Sequence, residues 1–265
     1  MGSADLQRYR AFADVLADAA GAAIMPYFRA RHTVEHKGGQ RLDPVTEADR
    51  AAEQAMRALI EREFPDHGIV GEEFGAKPAR GGYCWALDPI DGTRAFIAGL
   101  PLWGVLIALA YEGRPILGVL DQPYLGERFA GSREGATLTA RGAPRPLRTS
   151  GCGRLGDATL STTDPTLFDG VEAAAFGRVR DGARLTRYGY DCYAYAMLAM
   201  GGVDIVIESG LRAWDIQALI PIIEGAGGSV TSWSGGDAAD GGQVLAAANA
   251  QLRDAAIDLL ADAAR

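Results

Sequence analysis

The segment Asp88-Pro89-Ile90-Asp91-Gly92-Thr93 follows directly on the apolar run Tyr83-Cys84-Trp85-Ala86-Leu87. A buried strand must therefore break at a proline, with two carboxylates three residues apart at its end. Beyond the glycine, Arg94-Ala95-Phe96-Ile97-Ala98 can begin a helix. Carboxylates held this close repel each other unless a cation sits between them. The free N–H groups of a helix start favour an anion such as phosphate. A metal on one side and phosphate on the other point to phosphoryl chemistry.

With 265 residues the chain can bury a large core, as one large domain or two closely joined halves. A net charge of -8 without a basic block argues against nucleic acid as a partner. It does not exclude a small phosphorylated substrate, because bound Mg²⁺ inverts the local charge. Cys84, Cys152 and Cys192 are odd in number and widely spread. They imply neither a disulfide framework nor a zinc site. No signal-peptide pattern opens the chain, and the longest apolar run, Leu100 to Ala110, is too short to cross a membrane. A cytoplasmic protein with no membrane partner is the expectation.

Leu6, Tyr9, Ala13, Leu16 and Ala20 recur at helical spacing, predicting a first helix that ends near Pro26. Residues 32–42 read as a hairpin or loop. Thr46 to Asp49 resembles a capping box, and Ala52, Met56, Leu59 and Ile60 continue it as an amphipathic helix. Strands are expected at Ile69-Val70, Tyr83–Leu87, Leu102–Ala110, Ile116–Leu120 and Glu127–Ala130. Arg141–Gly153 reads as a crossing between halves. The second half alternates: strands at Ala158–Ser161, Asp204–Ile207 and Ser229–Ser232, helices at Cys192–Met200, at Trp214–Glu224 and after Asn249. Such alternation predicts an α/β layered fold.

Acidic residues follow apolar strands or open helices at Asp49, Glu72-Glu73, Asp88, Asp91 and Asp215. Together they make a hard oxygen donor set suited to Mg²⁺ rather than zinc. Any one of them alone can be a solvated carboxylate or a helix cap, Asp215 especially. His32, His36 and His67 fall in segments read as loops and are expected at the surface.

Four blocks carry a resemblance: Asp43-Pro44-Val45-Thr46-Glu47-Ala48-Asp49, Gly71-Glu72-Glu73, Trp85-Ala86-Leu87-Asp88-Pro89-Ile90-Asp91-Gly92-Thr93 and Trp214-Asp215-Ile216-Gln217-Ala218. In order and spacing they resemble the signature blocks of the inositol monophosphatase family. The resemblance implies an αβαβα five-layer sandwich, two or three Mg²⁺ ions per site, phosphomonoesterase activity and a homodimer. It divides the chain into an N-terminal half, 1–140, with most metal ligands, and a C-terminal half, 141–265, with substrate residues and the last ligand. By the resemblance, Glu72, Asp88 and the carbonyl of Ile90 hold the first metal, and Asp88, Asp91 and Asp215 the second. Glu72 also faces a third, looser ion, for which Asp43 is a further candidate. Gly92 and Thr93 offer N–H groups to the phosphate, which Asp91 adjoins. Asp49, Thr93 and Glu72 form the catalytic set around the attacking water.

Arg94-Ala95-Phe96-Ile97-Ala98-Gly99-Leu100-Pro101-Leu102-Trp103-Gly104 and Tyr188-Gly189-Tyr190-Asp191-Cys192-Tyr193-Ala194-Tyr195 look like the histidinol-phosphate branch. Histidinol phosphate carries an ammonium and an imidazole, whereas inositol is neutral. Asp191 and Glu208 together suit a cationic substrate. Asp191 can equally cap the Cys192 helix. Tyr193, Tyr195 and Trp103 can line the pocket or belong to the core. Arg94 and Arg212 can touch substrate, a partner subunit or solvent. The branch is expected to carry Lys-Pro-Tyr where this chain has Arg212-Ala213-Trp214. A broad inositol-, sugar- or nucleotide-phosphate phosphatase and a non-catalytic regulatory member are the alternatives.

Overall fold

The computed structural model describes residues 2–30, 34–36, 44–140 and 142–265, and the side chains of 34–36 and 44–46 are outside the description. The expectations for His32, for the 37–43 loop and for Asp43 lie outside the described residues, as do those for the side chains of His36 and Thr46.

The first half runs α1 (Ser3–Ile24), β1 (Val34–His36), β2 (Pro44–Thr46), α2 (Glu47–Glu63), β3 (Gly68–Gly71), β4 (Gly75–Lys77), β5 (Tyr83–Asp91), α3 (Thr93–Ile97), β6 (Gly104–Tyr111), β7 (Arg114–Gln122), β8 (Glu127–Ser132), β9 (Gly135–Ala140) and β10 (Arg145–Pro146). The second runs β11 (Thr159–Thr162), α4 (Gly170–Gly182), β12 (Leu185–Tyr188), α5 (Cys192–Ala199), β13 (Ile205–Arg212), α6 (Ala213–Ile216), α7 (Leu219–Gly225), β14 (Ser229–Ser232), β15 (Gly241–Ala247) and α8 (Ala250–Leu260).

Among the described residues, β1 and β2 form an antiparallel ribbon. An eight-stranded sheet has the order β10-β9-β8-β7-β6-β5-β3-β4, and a five-stranded sheet the order β12-β11-β13-β15-β14. The first is antiparallel except where β3 lies parallel to β5. The second mixes parallel β11–β12 and β11–β13 with antiparallel β13–β15 and β14–β15.

Strand alternation sorts side chains into layers. Trp85 and Leu87 face α1 and α2 with Leu16, Ala20, Met56 and Ile60. Ala86, Leu106 and Leu120 face the other way, onto α5 and α7 and onto Val206, Val244 and Ala246 of the second sheet. Ile205, Ile207 and Leu245 face outward onto α4 and α8. The result is the expected αβαβα sandwich. The middle layer is thin because glycines admit α7: a Cβ on Gly118 would lie 1.8 Å from the carbonyl oxygen of Ala218, and one on Gly131 2.2 Å from that of Pro221.

Two expectations change. The helix expected over Trp214–Glu224 divides into α6 and α7. Pro221 has no N–H to give to residue 217, which interrupts the helical ladder there. His67 is buried, not on the surface. It stacks between Phe64 and Tyr83 and accepts a 3.1 Å hydrogen bond at Nδ1 from Trp85 Nε1. Burial, then Lys77 and Arg8, hold its pKa below the usual histidine value. The three cysteines are free thiols, with Cys192 buried.

Candidate active site

The two sheets bring their acidic strand ends together around a cleft of about 280 Å³. Glu72, Asp88, Ile90, Asp91, Gly92, Thr93 and Arg94 line it from the first half, and Thr163, Asp191, Glu208 and Asp215 from the second. A larger cavity of about 700 Å³ lies where α1 meets β8 and β9, and its lining has one carboxylate, Glu134.

A β-bulge explains how Asp88 and Asp91 come to act together. Residues three apart on a regular strand point to opposite faces. Here Asp88 pairs with Leu106 and Asp91 with Gly104, so β5 spends three residues against two on β6. The extra residue returns both carboxylates to one face. β13 repeats the device: Glu208 pairs with Val244 and Leu211 with Gly242. Gly92 then turns the chain into α3 at φ 90°, and a Cβ there would meet the Leu102 carbonyl oxygen at 2.7 Å. Only glycine fits that conformation and that space.

Burial first, then Glu72, Asp91, Asp215 and Asp49, pushes the Asp88 carboxyl well above its usual pKa. Asp91 is raised by burial and by Asp191 and Asp215, partly offset by the Cys192 N–H, which donates to Asp91 Oδ2 at 2.7 Å. Asp215 is pushed to about 7, chiefly by burial. Its Oδ2 also accepts the Arg212 N–H at 2.7 Å, so it caps α6 while facing the cleft. Asp49 is buried at the start of α2. Thr93 Oγ1 donates to the Ile90 carbonyl at 3.0 Å, and the Ile90 N–H donates to Asp88 Oδ1 at 3.1 Å.

Among the described residues, no three acidic, histidine or cysteine groups close to metal-ligand spacing. The donor chemistry nonetheless fits a hard divalent cation. Asp88, Asp91 and Asp215 offer carboxylate oxygens and are largely withdrawn from water, and Asp91 and Asp215 raise the pKa of Asp88, as in sites completed by a cation.

Asp191 does not cap α5. Its carboxylate makes no capping bond, and the first amide of the helix goes to Asp91 instead. Its backbone sits at φ 46°, ψ −136°, a strained conformation for any residue but glycine. Burial lifts its pKa to about 6, Arg94 pulling down and Asp164 up. Glu208 is buried and already bonded. Oε1 accepts from Thr163 N at 2.7 Å and Thr163 Oγ1 at 2.9 Å, and Oε2 from Thr162 Oγ1 at 3.3 Å. Its pKa is pushed to about 7 by burial against those donors.

Arg94 lines the cleft and pairs with Asp164 at 3.6 Å, whereas Arg212 is exposed outside it. Trp103 and Tyr195 belong to the core, and Tyr193, half-buried, bonds Glu127. Apolar surroundings outweigh any pocket role for these rings. Sequence reasoning missed Thr163, which ties Glu208 to the end of β11. A threonine pair after a short strand gave no signal of that contact.

The two stacked sheets thus meet over one acidic cleft beside the start of α3. The profile of the inositol monophosphatase family matches residues 5–264, and the chain belongs to that family. It is 47% identical over 237 residues to the bifunctional phosphatase IMPL2 of Arabidopsis thaliana, covering 89% of this chain and 67% of that protein. It is 37% identical over 235 residues to a histidinol-phosphatase of Chlorobaculum parvum, covering 88% and 89%. An inositol monophosphatase structure from Zymomonas mobilis superposes with a TM-score of 0.87 at 41% identity, covering 98% of this chain and all of that one. No described helix is long and apolar enough to cross a membrane.

Proposed function

We propose that the protein is a Mg²⁺-dependent phosphatase that hydrolyses histidinol phosphate to histidinol and phosphate. The observation that carries the choice of alcohol is Asp191. A carboxylate held in a strained backbone, uncommitted to its own helix and facing the phosphate cleft, suits a cationic alcohol and gains nothing from a neutral one. Similarity to histidinol-phosphatases supports the reading.

Glu72, Asp88 and the Ile90 carbonyl would hold one Mg²⁺, and Asp88, Asp91 and Asp215 a second. When bound, the ions lower the pKa of the attacking water and offset charge on the leaving oxygen. The Thr93 hydroxyl orients that water, and the Asp49 carboxylate accepts its proton. The N–H groups of Gly92 and Thr93 take phosphate oxygens at the start of α3. Water adds to phosphorus, the bond to the alcohol oxygen breaks, and the leaving alkoxide takes a proton from solvent water. Asp191 pairs with the cationic end of the alcohol, while Thr163 and Glu208 set the opposite wall. We further infer a homodimer from the family resemblance, which light scattering on the purified protein checks.

The test is turnover of histidinol phosphate against inositol 1-phosphate by the purified protein with Mg²⁺. A kcat/KM favouring histidinol phosphate is expected, and equal or better turnover of inositol phosphate sinks the assignment.

A further inference from the structure

Glu72 opens the short turn from β3 to β4; its own N–H reaches the Leu87 carbonyl at 3.4 Å, while Phe74 and Gly75 further along are exposed. A ligand on such a turn is positioned only if something fixes the backbone on either side. Glu53 does so. It is fully buried on α2, one helical turn after Asp49. Its Oε2 accepts the Glu73 N–H at 2.7 Å, and its Oε1 accepts the Phe74 N–H at 3.2 Å and Arg57 Nε at 2.7 Å. Arg57 Nη2 donates onward to the Gly75 carbonyl, and Arg50 approaches the Glu73 carboxylate at 3.7 Å. On the other flank of Glu72, a Cβ at Gly71 would lie 2.0 Å from Glu53 Oε1. The carboxylate occupies the space that a side chain at residue 71 would need.

We propose that Glu53 is a positioning residue for the metal site: it grips the backbone of residues 71–75 and thereby holds Glu72 at a set distance from Asp49. This rests on the reading of the cleft as a Mg²⁺ phosphatase site. Both acids issue from α2, Asp49 directly and Glu72 through the clamp, so the helix acts as a ruler between the water-orienting group and the first ligand. Stability alone does not call for a buried Glu–Arg pair, because apolar residues of similar volume often serve a core as well.

The test uses the full chain without substrate. Glu53→Gln keeps the volume but presents an amide NH₂ where an acceptor stood. Expected are faster hydrogen exchange at the Glu73 and Phe74 amides and a Mn²⁺ dissociation constant, read by paramagnetic resonance, raised about 10- to 100-fold. Met56→Ala, on the same helix and buried, is the control for lost stability and should leave both readouts near wild type. Arg57→Gln, which frees one contact of the clamp, should move both in the same direction by less. It also carries the test if the Glu53 variant does not fold. Wild-type Mn²⁺ affinity in a folded Glu53→Gln or Arg57→Gln protein overturns the proposal, as does an equal loss in Met56→Ala. A wild-type protein that binds no Mn²⁺ overturns the metal-site reading itself.

Discussion

Replacing Asp191 by glycine separates recognition from folding. The native residue holds φ 46°, ψ −136°, which costs a side-chain-bearing residue about 1–3 kcal/mol. Glycine adopts it freely but adds about 0.5–1 kcal/mol of backbone entropy to the unfolded chain. The balance, roughly 0–2.5 kcal/mol in favour of the variant, leaves Tm unchanged or raises it by up to about 10 °C, at about 2–4 °C per kcal/mol. A charge-assisted contact to a cationic substrate is worth about 1.5–3 kcal/mol. Its loss lowers kcat/KM for histidinol phosphate about 10- to 150-fold. Inositol 1-phosphate has no such contact to lose and should change by less than about threefold. Steady-state kinetics on both substrates, beside calorimetry, decide it. A variant that melts several degrees lower, or loses both activities equally, would show that Asp191 is a structural residue and refute the reasoning.

The remaining predictions concern the metal set, the turn and the buried histidine. Asp88→Asn should abolish Mg²⁺-dependent turnover yet raise the metal-free Tm, because it removes a buried charge that four other carboxylates oppose. The Mg²⁺-induced rise in Tm should vanish with it, about 2.7 kcal/mol of stabilisation at a hundredfold excess over Kd. Retention of most of kcat would count against the two-metal assignment. Gly92→Ala forces a Cβ to 2.7 Å from the Leu102 carbonyl at a positive φ. It should lower stability by about 2–3 kcal/mol by urea melt and cut kcat more than KM; a wild-type melt would contradict the geometry. His67 is held neutral, its pKa below the ordinary value. Its stabilising contribution is complete above the unfolded pKa of about 6.5 and is lost as pH falls towards the folded one, at up to about 1.4 kcal/mol per pH unit. His67→Gln should flatten the melting-temperature profile below pH ~6.5; an equally steep profile would place the acid sensitivity elsewhere.

The acidic cleft was legible because acids at strand ends and helix starts form a joint pattern across Asp88, Asp91 and Asp215, each of which alone could be a cap or a solvated carboxylate. The layers were legible from strand–helix alternation. Other elements were not: β9, α4 and β15 are rich in Ala, Gly and Thr, whose weak patterns carry little periodic signal, and the four-residue β12 is mostly exposed, with no apolar alternation. His67 was misread because its burial is completed by Tyr9, Tyr83 and Trp85, contacts that no local window contains, beside the neighbouring Phe64. Glu53 left a usable trace. It lies on the same helical stripe as Asp49, Ala52, Met56 and Ile60, and a glutamate on a buried face needs a partner.

The peptide unit joining Asp191 to Cys192 serves two masters. Its amide holds the Asp91 carboxylate, and the residue on its other side presents the carboxylate that we propose reads the alcohol. On that proposal substrate choice lies one peptide unit from Asp91, and the backbone there cannot move without disturbing that carboxylate. A change of substrate at this position has a short repertoire: glycine, asparagine and aspartate tolerate positive φ best. Bulkier or β-branched residues would spoil the chemistry before they altered the preference.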